Sequence, residues 1–304
     1  MAAQNPFGHG RTRGYNEIGS ASVKSLSPEG ILRVLETIRW GTTLSDKVRI
    51  AAYYGLRVAR GLLRRDHDVA TGMYPQFWGG NIDVTTPVGR FLCRANTIDF
   101  DIVNPHYEAT LLDAYGEWLA RCKSQEVVCL DVGAHIGKFS VYAGRVLGGR
   151  GQVFAFEPEP LNYGALERNI ALNKLTNVRT FKVACGSRDE TRLLSLSTTN
   201  IGAHTLADRA DAEKIPVQVR ALDSFLGEKG VTRIHAMKLD VEYMEAEVLR
   251  GARVILESSP DVGVFFEETD DSAHASSIVF LRGLGFNVRR LGRNIYAASR
   301  AAQF

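Results

Sequence analysis

The sequence predicts an α/β protein: a doubly wound, mostly parallel sheet with helices packed on it, ending in an antiparallel hairpin and preceded by a helical extension. Three observations carry that expectation. From Val127 onward, short apolar runs alternate with helical apolar patterns, the order a parallel sheet requires. The stretch Val127-Val-Cys-Leu-Asp-Val-Gly-Ala-His-Ile-Gly137 passes from an apolar run into a glycine-bearing turn and then into a helical pattern near Lys138, which reads as strand, loop, helix. At the far end, Gly285-Phe-Asn-Val-Arg-Arg290 and Asn294-Ile-Tyr-Ala-Ala298 enclose Leu291-Gly-Arg293 as two strands enclose a turn.

Composition supports one sizeable domain with an extension. The chain has 304 residues, 45% hydrophobic and 23% charged, ordinary values for a globular protein with a large core. Its formal charge of +3 is unevenly spread: residues 1–70 hold 11 Lys/Arg against 6 Asp/Glu, and residues 71–304 hold 26 against 28. Cys93, Cys122, Cys129 and Cys185 show neither C-x-x-C spacing nor paired histidines nearby, so they read as reduced thiols rather than a zinc site or a disulfide scaffold. No apolar run has the length of a signal-peptide core or a membrane span, and the expectation is a cytoplasmic protein.

Taken in order, residues 1–25 are rich in Gly, Ser, Ala and Arg without periodicity and read as a mobile tail. Residues 26–80 form the helical extension. Ser27-Pro28 starts its first helix, with the stripe Ile31, Val34, Leu35 and Ile38, and Ser45 is expected to cap a second. Between residues 47 and 65 this second helix interleaves Lys47, Arg49, Arg57, Arg60, Arg64 and Arg65 with apolar residues. Such a pattern suits a solvated basic face first, and peripheral contact with anionic lipid, an acidic partner or nucleic acid second.

The main domain spans residues 81–304. It opens with a hairpin over residues 82–103 turning near Gly89, and His106-Tyr107-Glu108 opens a helix through Leu119. Strands are then expected near 127–132, 152–157, 178–183, 234–239 and 262–267, and helices near 137–147, 160–173, 243–256 and 273–284. Shorter strands and a loop that covers the site fall within 192–222.

The glycine turn points to a ligand. Gly133 and Gly137 remove side chains where backbone approaches a ligand or takes positive φ, and the following helix presents free N–H groups. The run Val153-Phe-Ala-Phe156 ends on Glu157, where an open α/β sheet sets an acid against a ribose. An ionised carboxylate is acceptor-only and takes two hydrogen bonds from a cis-diol. The spacing is D-x-G-x-x-x-G rather than the dinucleotide G-x-G-x-x-G, so the expected cofactor bears a nucleoside but is not NAD. A second motif, Met237-Lys-Leu-Asp240-Val-Glu242-Tyr-Met-Glu245, brings a strand to its end on Asp240, so Asp240 and Glu242 are expected to face cofactor and substrate. Glu245 reads as a first-turn carboxylate favoured by the helix dipole whatever the function.

These residues carry a family resemblance. Asp131-Val-Gly-Ala-His-Ile-Gly137, Phe156-Glu-Pro158, Leu222-Asp223 and Lys238-Leu-Asp-Val-Glu242, with Glu245, Val248-Leu249 and Gly251, resemble the FkbM family of S-adenosylmethionine-dependent methyltransferases over roughly residues 100–298. The resemblance implies a class I methyltransferase (Rossmann-like) sheet of seven strands with a reversed final hairpin, and O-methylation of sugars or polyketide-type hydroxyls. By position it implies Asp131, Gly133, Ala134 and Gly137 at the amino-acid end of S-adenosylmethionine, Glu157 at its ribose, and Ala184 and Cys185 near its adenine. One departure stands out: the family commonly has glycine after the D-V-E acid, where this chain has Tyr243, which bears on the acceptor more than on the cofactor.

Methyl transfer asks mainly for alignment of acceptor oxygen, methyl carbon and sulfur. For the proton an alcohol loses, Asp240, His204 and His135 are candidate bases, with Asp240 preferred for its strand-end position. Lys238 is placed to orient Asp240, and Glu267 and Glu268 are further acceptor contacts. No metal is expected; magnesium between Asp240 and Glu267 is the minor alternative. The reading is a methyltransferase acting on a small-molecule or glycan acceptor. An RNA or protein methyltransferase docking through the basic helices, and a cofactor-binding module silenced by Tyr243, are the competing readings.

Overall fold

The computed structural model describes residues 27–63, 80–124, 126–197, 204–207, 212–268 and 275–300, so the tail expected over residues 1–25 lies outside it. The chain divides into two compact units, Met1–Thr110 and Leu111–Phe304.

In the first unit, α1 (Pro28–Arg39) begins where expected, with Ser27 Oγ accepting the Gly30 N–H at 3.0 Å. Helix α2 (Leu44–Leu63) corrects the sequence expectation: its cap is Thr43, not Ser45. Thr43 Oγ1 accepts the Asp46 N–H at 3.1 Å while Asp46 Oδ2 accepts the Thr43 N–H at 3.0 Å. The reciprocal pair needs an acid three residues after the cap, which Thr43 has in Asp46 and Ser45, followed at that offset by Val48, lacks. Of the basic residues on α2, Arg49 donates to the Asn81 carbonyl at 2.9 Å, whereas the side chains of Arg57, Arg60, Arg64 and Arg65 lie outside the described residues. Strands β1 (Ile82–Thr85) and β2 (Arg90–Cys93) form the expected hairpin, with Thr86 Oγ1 accepting the N–H groups of Val88 and Gly89 in its turn. A short helix, α3 (Asp99–Ile102), follows without any periodic signal; it is pinned by Asp99, fully buried and bound by both the guanidinium and the backbone N–H of Arg94.

Helix α4 (Ala109–Arg121) starts later than the expected His106, because Glu108 is left-handed at φ 53°. Then come β3 (Val127–Val132), α5 (Lys138–Leu147), β4 (Gly151–Phe156), α6 (Pro160–Leu172) and β5 (Val178–Phe181), close to the expected bounds. Next are β6 (Ala184–Gly186), β7 (Glu190–Ser195), β8 (Lys214–Ala221) and α7 (Leu222–Glu228). The unit ends with β9 (Ala236–Leu239), α8 (Glu245–Gly251), α9 (Arg253–Glu257), β10 (Gly263–Glu267), α10 (Ser276–Gly283), β11 (Asn287–Gly292) and β12 (Ile295–Ser299). The helix expected over 243–256 is two helices. Gly251 lies so close to β6 that a Cβ there would sit 2.0 Å from the Gly186 carbonyl oxygen, and Ala252, at φ −111° and ψ 12°, breaks the helical path.

Seven strands form one sheet in the order β11-β12-β10-β9-β3-β4-β5, and β6, β8 and β7 form a smaller one. Within the large sheet β5, β4, β3, β9 and β10 are parallel, and β12 runs antiparallel to both β10 and β11. This is the class I methyltransferase sheet, reversed final hairpin included. Its core includes Leu130, Val132, Phe154, Phe156, Leu239, Val264 and Phe266, each at most 2% exposed. Fully burying each large side chain contributes about 1.5–3 kcal/mol. Phe156, Phe181 and Phe225 pack ring on ring with centroids 4.8–5.4 Å apart, joining α7 to the ends of β4 and β5. From β3 the chain builds outward through β4 to β5 and then returns to β9 on the other side. The crevice between β3 and β9 is therefore the switch point at which such sheets bind ligands, at the carboxyl ends of the strands.

Candidate active site

Three strand ends meet at that crevice: Asp131 on β3, Glu157 just past β4 and Asp240 just past β9. The glycine turn joins them. The N–H groups of Gly133 and Ala134 both donate to the Phe156 carbonyl, at 3.0 and 2.9 Å, drawing the turn onto the end of β4. On its other side, Gly133 takes φ 78°, and a Cβ there would sit 1.8 Å from the Asp240 carbonyl oxygen. Only glycine lets the two strand exits touch. Gly137, at φ 93°, precedes α5 with no side-chain cap, and Asn169 of α6 braces the turn by donating to the Ile136 carbonyl at 2.9 Å.

Glu157 is 6% exposed and is fixed by two backbone donors: the His135 N–H on Oε2 at 2.9 Å and the Glu159 N–H on Oε1 at 3.0 Å. Burial raises its pKa to about 7 despite those hydrogen bonds. Each oxygen retains a lone pair for a further donor. His135, expected as a possible base, contributes its backbone N–H here from a left-handed residue at φ 49°.

Asp131 is 1% exposed; Ser140 Oγ donates to its Oδ2 at 2.5 Å, and among the described residues its Oδ1 has no hydrogen-bond partner. Burial pushes the Asp131 carboxyl upward, and the Lys238 ammonium, 3.8 Å from Oδ1, pulls it back. That ammonium, 5% exposed, also donates to the Gly133 carbonyl at 3.0 Å and to Asp240 Oδ2 at 3.2 Å. One buried cation thus ties together the Asp131 strand end, the glycine turn and Asp240. The spacing Lys238-x-Asp240 holds the signal, since residues two apart on a strand share a face.

Among the acids of the crevice, Asp240 is the accessible one, its side chain 30% exposed against 1% for Asp131. Glu242 lies two residues on, left-handed at φ 52°, with its carbonyl accepting Thr205 Oγ1 at 2.6 Å. That bond brings the segment carrying His204 to the turn after Asp240. His204 Nδ1 accepts the Ser197 N–H at 2.9 Å, which leaves Nε2 as the protonated nitrogen of the neutral ring, a donor rather than a base. Glu245, 6% exposed, reaches back to the Val241 N–H at 3.4 Å, and burial with nearby Asp240 raises its pKa to about 7. It closes the turn, as its first-turn position implies. Ala184 and Cys185 lie in β6, paired with Val219 and Arg220; they follow Phe181, whose carbonyl accepts the Glu157 N–H at 3.1 Å. Asp240 already has an ammonium on Oδ2, and among the described residues no group of three or more His, Cys, Asp or Glu is placed to hold a metal ion.

Positions that sequence reasoning missed act at one remove. Ser140, Asn169 and Thr205 hold Asp131, the glycine turn and the Glu242 turn, and short polar side chains on helices and strands give no spacing signal for such contacts. Glu159, whose two oxygens cap α6 at Leu161 and Asn162, fixes the segment that donates to Glu157.

The chain is similar to known methyltransferases. Methyltransferase 1 of Beauveria bassiana is 29% identical over 40% of this chain and 57% of its own length. Methyltransferase sdnD of Sordaria araneosa is 30% identical over 40% of this chain and 59% of its own. The matches thus span under two thirds of either relative. Among solved structures, the methyltransferase FkbM of Methylobacillus flagellatus is 12% identical with a TM-score of 0.40, covering 89% of this chain and 58% of that one. A methyltransferase of Streptococcus mutans crystallised with S-adenosylhomocysteine is 10% identical with a TM-score of 0.40, covering 62% and 94%. The methyltransferase FkbM domain matches residues 131–288, from the Asp131 strand end to the start of β11 and over more than half of the chain. With the glycine turn and the Lys238–Asp240 pair both inside that stretch, the chain belongs to the FkbM methyltransferase family.

Proposed function

We propose that the protein is an S-adenosylmethionine-dependent methyltransferase that O-methylates a hydroxyl of a sugar, glycan or other small-molecule acceptor in the cytoplasm. The observation that carries this reading is the pairing of a side-chain-free turn at Gly133 with a Glu157 carboxylate held by two backbone donors. The donor set suits the cofactor: a fixed, acceptor-only carboxylate takes the two hydroxyls of a ribose. When bound, the cofactor supplies an activated methyl group on a sulfonium.

In this reading Gly133, Ala134 and Gly137 give backbone to the amino-acid end, with Asp131 beneath them. Glu157 orients the ribose, and Ala184 and Cys185 border the adenine. Asp240, accessible and hydrogen-bonded by the adjacent Lys238 ammonium, accepts the acceptor's proton. Glu242 and His204 stand on the acceptor side, His204 as a donor through Nε2.

Calorimetry tests the cofactor. Binding of S-adenosylmethionine and its demethylated product, with no binding of NAD, is expected; Glu157→Ala should weaken it by about 1–3 kcal/mol. Tighter binding of NAD than of S-adenosylmethionine would overturn the reading. Incubation with methyl-labelled cofactor and fractionated lysate then identifies the acceptor.

A further inference from the structure

We infer that Tyr243 binds the flat ring face of the acceptor and thereby selects hydroxyl-bearing rings over open-chain polyols; this rests on the methyltransferase reading above. Glu242 and Tyr243 are consecutive left-handed residues, at φ 52° and 76°, a conformation that L side chains rarely adopt and never adopt cheaply in pairs. The surroundings impose it. The Asp240 N–H is bound to the Val132 carbonyl at 3.0 Å, Thr205 Oγ1 holds the Glu242 carbonyl, and Glu245 takes the Val241 N–H.

Glycine would meet that backbone demand without strain. This chain instead places a large aromatic there, and the fold gains little from it. Tyr243 is 57% exposed, and among the described residues it makes no hydrogen bond, ion pair or ring contact. A residue that strains the backbone while its ring stays mostly exposed is the pattern of a functional side chain.

Its position states the function. Tyr243 stands three residues after Asp240, whose carbonyl touches the Gly133 turn, so it borders the point where an acceptor oxygen meets the methyl group. A phenol ring beside a reacting hydroxyl offers a rigid apolar face at small entropy loss, which matches the C–H face of a pyranose or an aromatic ring. An open-chain polyol has no such face.

The test uses the full chain loaded with S-adenosylmethionine, with methyl α-D-glucopyranoside and methyl α-D-mannopyranoside as sugar probes, benzyl alcohol as aromatic probe and sorbitol as open-chain control. Binding is read by saturation-transfer NMR and methyl transfer by label. The wild type should favour a ring probe over sorbitol by about tenfold. Tyr243→Phe should keep that preference, and Tyr243→Gly and Tyr243→Asn should lose it. Both of the latter should leave cofactor affinity unchanged, and the glycine variant should melt about 2–4 °C higher. Preference for the pyranosides or for benzyl alcohol assigns the ring as sugar or aromatic. A wild type without ring preference, or a glycine variant that retains it, overturns the inference while the methyltransferase reading stands. A wild type that fails to bind S-adenosylmethionine removes both.

Discussion

Asp240 and Asp131 are both strand-end carboxylates facing one lysine, yet they are suited to different work. Asp131 is sealed at 1% exposure and Asp240 is open at 30%, so only the latter reaches an incoming hydroxyl. Asp240→Asn keeps an oxygen for Lys238 Nζ, now 3.2 Å away, and removes the proton acceptor. Turnover is expected to fall by roughly 10²–10⁴-fold with cofactor affinity within about threefold, as measured by single-turnover rates and calorimetry. Unchanged turnover would take Asp240 out of the mechanism; His204, whose Nδ1 already accepts a hydrogen bond, is poorly placed to replace it. The sequence made Asp240 legible through its strand-end position. It could not show that Lys238 is shared among Asp131, Gly133 and Asp240, because that sharing depends on β3 and β9 being neighbours across more than a hundred residues of chain.

Among the elements, the β3–α5 turn and the exit of β9 form one unit through Gly133. In Gly133→Ala the new Cβ would meet the Asp240 carbonyl oxygen at 1.8 Å, and the backbone would remain at φ 78°. Neither strand end can retreat without breaking ladder hydrogen bonds, so destabilisation of about 2–4 kcal/mol is expected, with loss of cofactor binding even where the protein folds. Gly230→Ala is the control: also at positive φ, 70°, but with open space around the added methyl, it should lose only about 1 kcal/mol. Equal melting temperatures for the two variants would show that steric contact with β9 is unimportant. The elements also show where local sequence rules succeed. Ser27-Pro28 marks the start of α1 by chemistry within four residues. The expected continuous helix over 243–256 failed because its break is forced by the β6 backbone beneath Gly251, a contact 65 residues away in the chain.

At the scale of the whole molecule, buried carboxylates give stability a definite dependence on pH. Glu157 and Glu245 each titrate near 7 in the folded protein against an ordinary 4.5. Below about 4.5 both are protonated whether folded or not, and stability is unaffected. Between 4.5 and 7 the folded state keeps protons that the unfolded chain has released, so stability falls as pH rises and levels off above 7, by on the order of 3 kcal/mol per group. Glu245→Gln retains an oxygen for the Val241 N–H and removes the charge. It should stabilise the protein by about 1–3 kcal/mol at pH 8 and not at all at pH 4, read from denaturant unfolding at the two pH values. A variant whose difference from wild type is the same at both would show that Glu245 is not titrating in this range. For Glu157 the same burial couples to the ligand: a carboxylate that must be ionised to hold a ribose binds more tightly as pH rises toward 7.

The sequence by itself determined the α/β class, the alternating strands and helices, the terminal hairpin, the glycine turn and the acids at three strand ends, all of which rest on patterns within a few residues. Apolar periodicity, glycine spacing and strand-end acids are local properties, and the chain carries them openly. Only the tertiary structure decided which strand ends touch, that Lys238 links Asp131 to Asp240, that His135 serves through its backbone N–H, and that Tyr243 stands exposed on a left-handed turn. These follow from sheet order and from burial, which sum over contacts far apart in the chain and leave no mark on any single segment.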